Sequence, residues 1–130
     1  MGADFYLQAD GSVVGLVTLA KDHEGPPFHV HGGVLAALID EAMGAACWSS
    51  GKRVVAVNLN FNYRRPVPLA VALRVTGHIA GSERRKTFTT GAILLPDGTA
   101  AVEGSGIFVE APQIFAGLAN PFARLPEDGG

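Results

Sequence analysis

Residues 29–48 read HVHGGVLAALIDEAMGAACW. From Gly32 onward the stretch is nearly continuous Ala, Leu, Ile and Met, interrupted in the middle by the acidic pair Asp40-Glu41. This predicts an α-helix from Gly32 to about Ser50, with Gly51 just past its end, where a C′ glycine belongs. A helix that is apolar nearly all round is buried. A carboxylate inside it is costly unless it is paired or hydrogen-bonded. Asp40 is therefore either satisfied by partners elsewhere in the chain or used. Gly32 and Gly33 strip side chains from the helix start, where free N–H groups and the helix dipole favour developing negative charge.

On either side of this helix the chain reads as strands. Ser12–Ala20 puts Val13, Gly15, Val17 and Leu19 on one face, and Gly25-Pro26-Pro27 makes Lys21–Val30 a loop. In Val55–Tyr63, Val55, Val57, Leu59, Phe61 and Tyr63 alternate with Ala56, Asn58, Asn60 and Asn62. Further strands are expected at Val71–Ala80, Arg85–Leu95 and Thr99–Glu110, with turns at Gly81–Arg84 and Pro96-Asp97-Gly98. The tail carries at most a short helical turn within Ile114–Phe122. The expectation is one strand, one long helix, then four strands joined by short turns, giving an antiparallel five-stranded sheet with two edges that need protection or partners.

The 130 residues suit one domain with one core, about residues 12–110, followed by a C-terminal tail at 111–130. The composition is 48% hydrophobic and 17% charged, and the mean hydropathy is +0.25. That is apolar for a small domain and points to burial against a second subunit. The net charge of −2, without a basic face or run, argues against nucleic acid. The single cysteine, Cys47, excludes an internal disulfide and suggests a reducing, cytoplasmic setting. No signal peptide is expected from MGADFYLQAD, and no apolar run reaches spanning length, so no membrane association is expected.

Three elements together resemble the hotdog-fold acyl-CoA thioesterases, of the kind that act on 4-hydroxybenzoyl-CoA or phenylacetyl-CoA. The first is His31-Gly32-Gly33 with Asp40 nine residues after the histidine; the second is NFNYRRPVP at Asn60–Pro68; the third is Arg85-Lys86 opening the next-to-last strand. The resemblance spans about Ser12 to Val109. It implies an α+β hotdog fold, a curved antiparallel sheet wrapped around one central helix. It also implies that Asp40 is general base or nucleophile, that the Gly32 N–H polarises the thioester carbonyl, and that His31 positions the thioester end. No cofactor is implied. Two positions depart from the family pattern. Gly25 stands where an amide side chain is common, and Ala56 where Ser or Thr is common. Asn58, read as lying on the same strand face as Ala56, is a candidate substitute.

Each candidate also has a bland reading. Asp40 could be a buried carboxylate tied to backbone donors or an arginine, although thioester hydrolysis calls for such a base beside donors for the developing oxyanion. Glu41 points about 100° away around the helix and suits a structural role. Gly32 and Gly33 could simply relieve a turn; the functional reading is close approach of substrate, with Gly33 in the binding set. His23, His29 and His31 contain an HxH pair, but no further ligands follow at metal-site spacing, so no metal is expected. Arg64, Arg65, Arg84, Arg85 and Lys86 are either solvated charges or contacts for the phosphates of coenzyme A. Cys47 reads as a small core residue, and Trp48 and Phe61 as core or interface residues. Ala36, Ala37 and Gly44 leave room beside Asp40 for an acyl chain or aryl ring, or for close helix packing.

The expected activity is hydrolysis of an acyl-CoA to free acid and coenzyme A by a homodimer or dimer of dimers. One rival is an enoyl-CoA hydratase on the same fold, which would want a His close after Asp40. The other is a non-catalytic acyl-CoA or small-ligand binding module. Gly32 and Asp40 are roughly 12 Å apart along one helix, which a single Asp side chain cannot span. The site is therefore expected at a subunit interface, with Gly32 from one copy and Asp40 from the other.

Overall fold

The computed structural model describes residues 3–111; the expected turn at Ile114–Phe122 lies outside them. The elements are β1 (Asp4–Leu7), β2 (Val13–Thr18), α1 (Gly32–Ser49), β3 (Val54–Tyr63), β4 (Ala72–Glu83), β5 (Lys86–Leu94) and β6 (Ala100–Glu110). They form one six-stranded sheet in the order β1-β2-β4-β5-β6-β3, with neighbouring strands antiparallel. The helix packs on one face of it and buries Leu35, Leu38, Ile39, Ala42, Met43 and Cys47.

Helix α1 starts and stops as its residues dictate. His31 is the N-cap, and its imidazole Nδ1 accepts the Gly33 N–H at 2.9 Å. At the other end Gly51 takes φ +91°, its N–H donates to the Trp48 carbonyl and the Lys52 N–H donates to the Cys47 carbonyl.

The strand expectations need three corrections. The sheet has six strands, because Asp4–Leu7 pairs with β2, for example Phe5 with Gly15. The four residues are too short to show a pattern by themselves. The signal for this strand was Asp10-Gly11, a hairpin dipeptide whose Gly11 takes φ +88°. Second, β3 does not pair with β4. The residues after Tyr63 carry Pro66 and Pro68, which cannot continue a ladder, and β3 instead closes the far edge against β6. Third, the β4–β5 turn is Arg84-Arg85 rather than Gly81–Arg84, since Glu83 already pairs with Lys86. Arg84 takes a left-handed φ of +56° there.

A bulge at Val57 resets β3. Ala56 pairs with the buried Phe108, but Asn58 pairs with Ile107 and Leu59 with Gly106. Opposed residues share a face, so Ala56, Leu59, Phe61 and Tyr63 lie on the helix side while Asn58, Asn60 and Asn62 lie on the other. Asn58 is thus not on the face of Ala56, as its two-residue spacing suggested. The extra residue of the bulge breaks the alternation that the sequence displays.

Across the middle of the sheet Gly77, Gly91 and Gly104 stand directly opposite one another on β4, β5 and β6. A Cβ on Gly77 would collide with the Ala42 carbonyl, and one on Gly104 would come within 2.8 Å of the Ile39 side chain. This rung lets the middle turns of α1, including the turn that carries Asp40, press onto the strands.

Candidate active site

Asp40 sits half-buried on α1. Among the described residues no hydrogen bond or ion pair reaches its carboxylate, and burial raises its pKa above the ordinary carboxylate value. Its neighbour Glu41 accepts a long hydrogen bond, 3.4 Å, from the Ala3 N–H next to β1. Flanking Asp40 on its side of the helix are the partly exposed Ala36, Ala37 and Gly44; nothing lies within 4 Å of where a Gly44 Cβ would be.

The helix start lies two turns away. The Val34 and Leu35 N–H groups donate to the His31 carbonyl, and the Gly33 N–H goes to the His31 ring. The Gly32 N–H has no partner among the described residues. It opens beside a cavity of about 240 Å³ lined by His29, Val30, Leu35, Tyr63, Arg64 and Pro66, among others. Tyr63 was not singled out in the sequence, yet its hydroxyl donates to the Gly32 carbonyl at 2.8 Å. Its alternation with Asn62 marks only a strand position; the contact depends on the strand ending beside the helix start.

Gly25 has a specific role here. A Cβ on it would stand 2.8 Å from the His31 Cα, so an amide side chain at this position requires the loop to move away from the helix cap. Among the described residues, the one backbone donor left open in the first turn of the helix is the Gly32 N–H. Ala56 brings no hydroxyl.

The basic residues fall into two groups. Arg64 is ion-paired with Glu103, and Arg65 donates to Thr99 at 3.3 Å and lies 4.0 Å from Asp97. Arg85 donates to the Glu110 carbonyl at 3.0 Å, and with Arg84 and Lys86 it lines an open pocket of about 610 Å³. Lys86 lies level with Val109 of β6, whereas both Arg64 and Arg65 donate their backbone N–H to Ala101. The two groups are therefore roughly 26 Å apart along that strand, and one chain cannot bring them together on one phosphate cluster. Asn58 is exposed and accepts from the Asn60 side-chain amide at 2.6 Å.

His29 Nδ1 donates to the Pro27 carbonyl at 2.9 Å and His23 Nδ1 lies 3.3 Å from Asp22. Among the described residues no group of three His, Cys, Asp or Glu side chains could hold a metal ion. Cys47 is fully buried, and burial pushes its thiol up to about 11, leaving it a packing residue. No helix of the described residues is long and apolar enough to cross a membrane.

Known proteins share this fold. Residues 29–101, from the histidine loop through β5 and into β6, match the model of the thioesterase superfamily. The acyl-coenzyme A thioesterase THEM4 of Rattus norvegicus is 32% identical over 109 residues, covering 83% of this chain and 47% of that protein. The chain thus spans about half the length of the curated relatives it matches. A crystal structure of a thioesterase superfamily protein superposes with a TM-score of 0.79 at 42% identity, over 81% of this chain and 54% of that one. The Streptococcus mutans protein smu.793, crystallised with acetyl CoA, shares the fold at a TM-score of 0.78 and 16% identity, over 84% of this chain and 88% of that one. One helix wrapped by an antiparallel sheet is the hotdog fold of these proteins, and with its His-Gly-Gly start and mid-helix Asp40 this chain belongs to the thioesterase superfamily.

Proposed function

We propose that this chain hydrolyses an acyl-CoA thioester to a free acid and coenzyme A. The observation that carries the reading is Asp40, a half-buried carboxylate without a partner among the described residues, on a helix whose first N–H, that of Gly32, is also without one among them. In the hydrolysis Asp40 takes a proton from water as the water oxygen bonds to the thioester carbon. The carbonyl oxygen gains negative charge and is held by the Gly32 N–H at the positive end of the helix. Collapse of the tetrahedral species breaks the C–S bond, and the proton on Asp40 returns to the departing thiolate. As a nucleophile Asp40 would instead form an acyl anhydride that water then opens. Solvent ¹⁸O found in the Asp40 carboxylate after a single turnover in ¹⁸O-water identifies the anhydride route, with water opening the anhydride at the Asp40 carbonyl.

The site is shared between two copies. Among the described residues strand β3 is a free edge with Val57 57% and Tyr63 54% exposed, and an edge of this kind invites pairing. Two-fold antiparallel pairing of β3 sets the Tyr63 end of one copy beside the Val54 end of the other. It brings the start of one α1 towards the Asp40 region of its partner. It also carries the partner's Arg84–Lys86 hairpin to the Gly32 end, as a contact for the phosphates of coenzyme A. Arg84, Arg85 and Lys86 line an open pocket at that hairpin together with Glu83 and Glu110, whereas Arg64 is held in an ion pair with Glu103. The buried free thiol of Cys47 fits a reducing, cytoplasmic location.

The test mixes two inactive variants, Asp40→Asn and Gly32→Leu. A shared site returns activity on subunit exchange, because each heterodimer has one doubly damaged and one intact site. No recovery despite proven exchange rejects the sharing. The second reading, a binding module without turnover, is favoured by the crowding at Gly25 and by Ala56, which remove two polar contacts of the family pattern. Thiol release from a panel of acyl-CoA substrates decides between the two readings.

A further inference from the structure

The peptide group between Gly32 and Gly33 is held from both ends. Its carbonyl accepts the Tyr63 hydroxyl at 2.8 Å, and its N–H donates to His31 Nδ1 at 2.9 Å. The two holding side chains come from different elements, the last residue of β3 and the residue that caps α1. Two glycines have the freest backbone in the chain's vocabulary, so an unheld Gly32-Gly33 pair would sample several orientations. The tyrosine ring also rests on Gly32, its carbons 3.4–3.5 Å from the position of a Gly32 Cβ.

We infer that Tyr63 is a positioning residue for the proposed hydrolysis: by fixing the Gly32-Gly33 peptide, it aims the adjoining Gly32 N–H at the thioester carbonyl. The inference rests on the proposed role of Gly32. The first turn of the helix otherwise frays, and a donor that must meet an oxyanion within about 3 Å loses its effect when its orientation wanders. The hydroxyl also polarises the peptide it binds, which strengthens the Gly33 N–H bond to His31. Because Tyr63 ends the free edge strand, pairing of that edge with a second copy steadies the group that steadies Gly32.

The experiment compares Tyr63→Phe with the wild-type chain. The variant keeps the ring and removes only the hydroxyl. Steady-state kinetics are read on an acyl-CoA that the wild type hydrolyses, with ¹⁵N NMR of the Gly32 and Gly33 amides and of the His31 ring. The expected result is a kcat lower by about 10- to 100-fold, the cost of a small misplacement, with KM within about twofold, the Gly33 amide signal moved and the melting temperature nearly unchanged. An unchanged kcat, or a loss that appears only in KM or in stability, overturns the inference. If the wild type hydrolyses no acyl-CoA in the panel, the hydrolase reading fails by itself. The NMR then still tests the clamp, since an unmoved Gly33 amide overturns it. Should Tyr63→Phe not fold, the wild-type Tyr63 hydroxyl proton decides: slow exchange with a cross-peak to Gly32 or Gly33 supports the clamp, and free exchange overturns it.

Discussion

Asp40 and Glu41 are adjacent in the chain and opposite in situation: Glu41 holds the Ala3 N–H at 3.4 Å, while the Asp40 carboxylate is held by nothing among the described residues. A bound carboxylate serves the fold and an unbound, half-buried one is available for chemistry. Asp40→Asn should lower kcat by roughly 10²–10⁴-fold, the usual worth of a general base. Glu41→Gln should cost less than about tenfold and act mainly on the anchoring of β1. Kinetics on both variants check this, and the reverse order would move the base to Glu41.

The raised pKa of Asp40 has consequences of definite sign for activity and stability. A base must be ionised, so kcat/KM should climb with pH along a limb lying above the ordinary aspartate value, and that limb should vanish in Asp40→Asn. For stability, the folded chain keeps this proton at pH values where the unfolded chain has released it. Stability from this group is therefore present below the unfolded pKa and lost as pH rises through the folded one. At neutral pH Asp40→Asn should melt higher than wild type, and at low pH the difference should close. Melting curves from pH 3 to 8 test it; a variant that melts lower at neutral pH would show that Asp40 has a stabilising partner.

His31 caps the helix with an unusual acceptor, its ring nitrogen. His31→Ala should cost about 1 kcal/mol of stability, and His31→Asn, a strong N-cap, should restore most of it. Activity should follow a different order, with both variants impaired, because Asn reaches the Gly33 N–H with another geometry. Chelators should leave the wild-type rate unchanged. Full loss with EDTA and recovery with zinc would assign the histidines to a metal instead.

A charge on the free edge should separate the copies. Val57→Lys places an ammonium on a residue 57% exposed in one chain, so the monomer tolerates it and an edge-to-edge dimer does not. Light scattering should show monomer mass, with activity falling at least about tenfold at nanomolar protein. A monomer of full activity would place all the machinery within one chain.

The helix, its glycine start and Asp40 were legible because composition and capping are local signals. The antiparallel sheet was legible in the alternation of β4 to β6. Other features depend on pairing, which a single strand does not record. The Val57 bulge exists only relative to β6, so it misassigned the face of Asn58. The pairing of β3 with β6 rather than with β4 is a choice between distant partners that the strand's own residues do not encode. Tyr63 escaped notice because its partner is 31 positions away and is a backbone carbonyl. Arg64 and Arg85 look equivalent in the sequence, and only the sheet register sets them at opposite ends.

The rung of Gly77, Gly91 and Gly104 does more than make room beneath Ile39 and Ala42. A line across three strands without side chains on the inner face is also where a sheet can curl most tightly. The ends of the strands on both sides of that line then swing towards the helix as the sheet bends about it, the Tyr63 end of β3 among them. The reach of Tyr63 to Gly32, a contact at the sheet's rim, is in this sense set at its centre. A methyl group added at Gly77 would act as a wedge whose effect grows with distance along the strands, opening the curve and drawing the Tyr63 end of the edge strand away from the helix start.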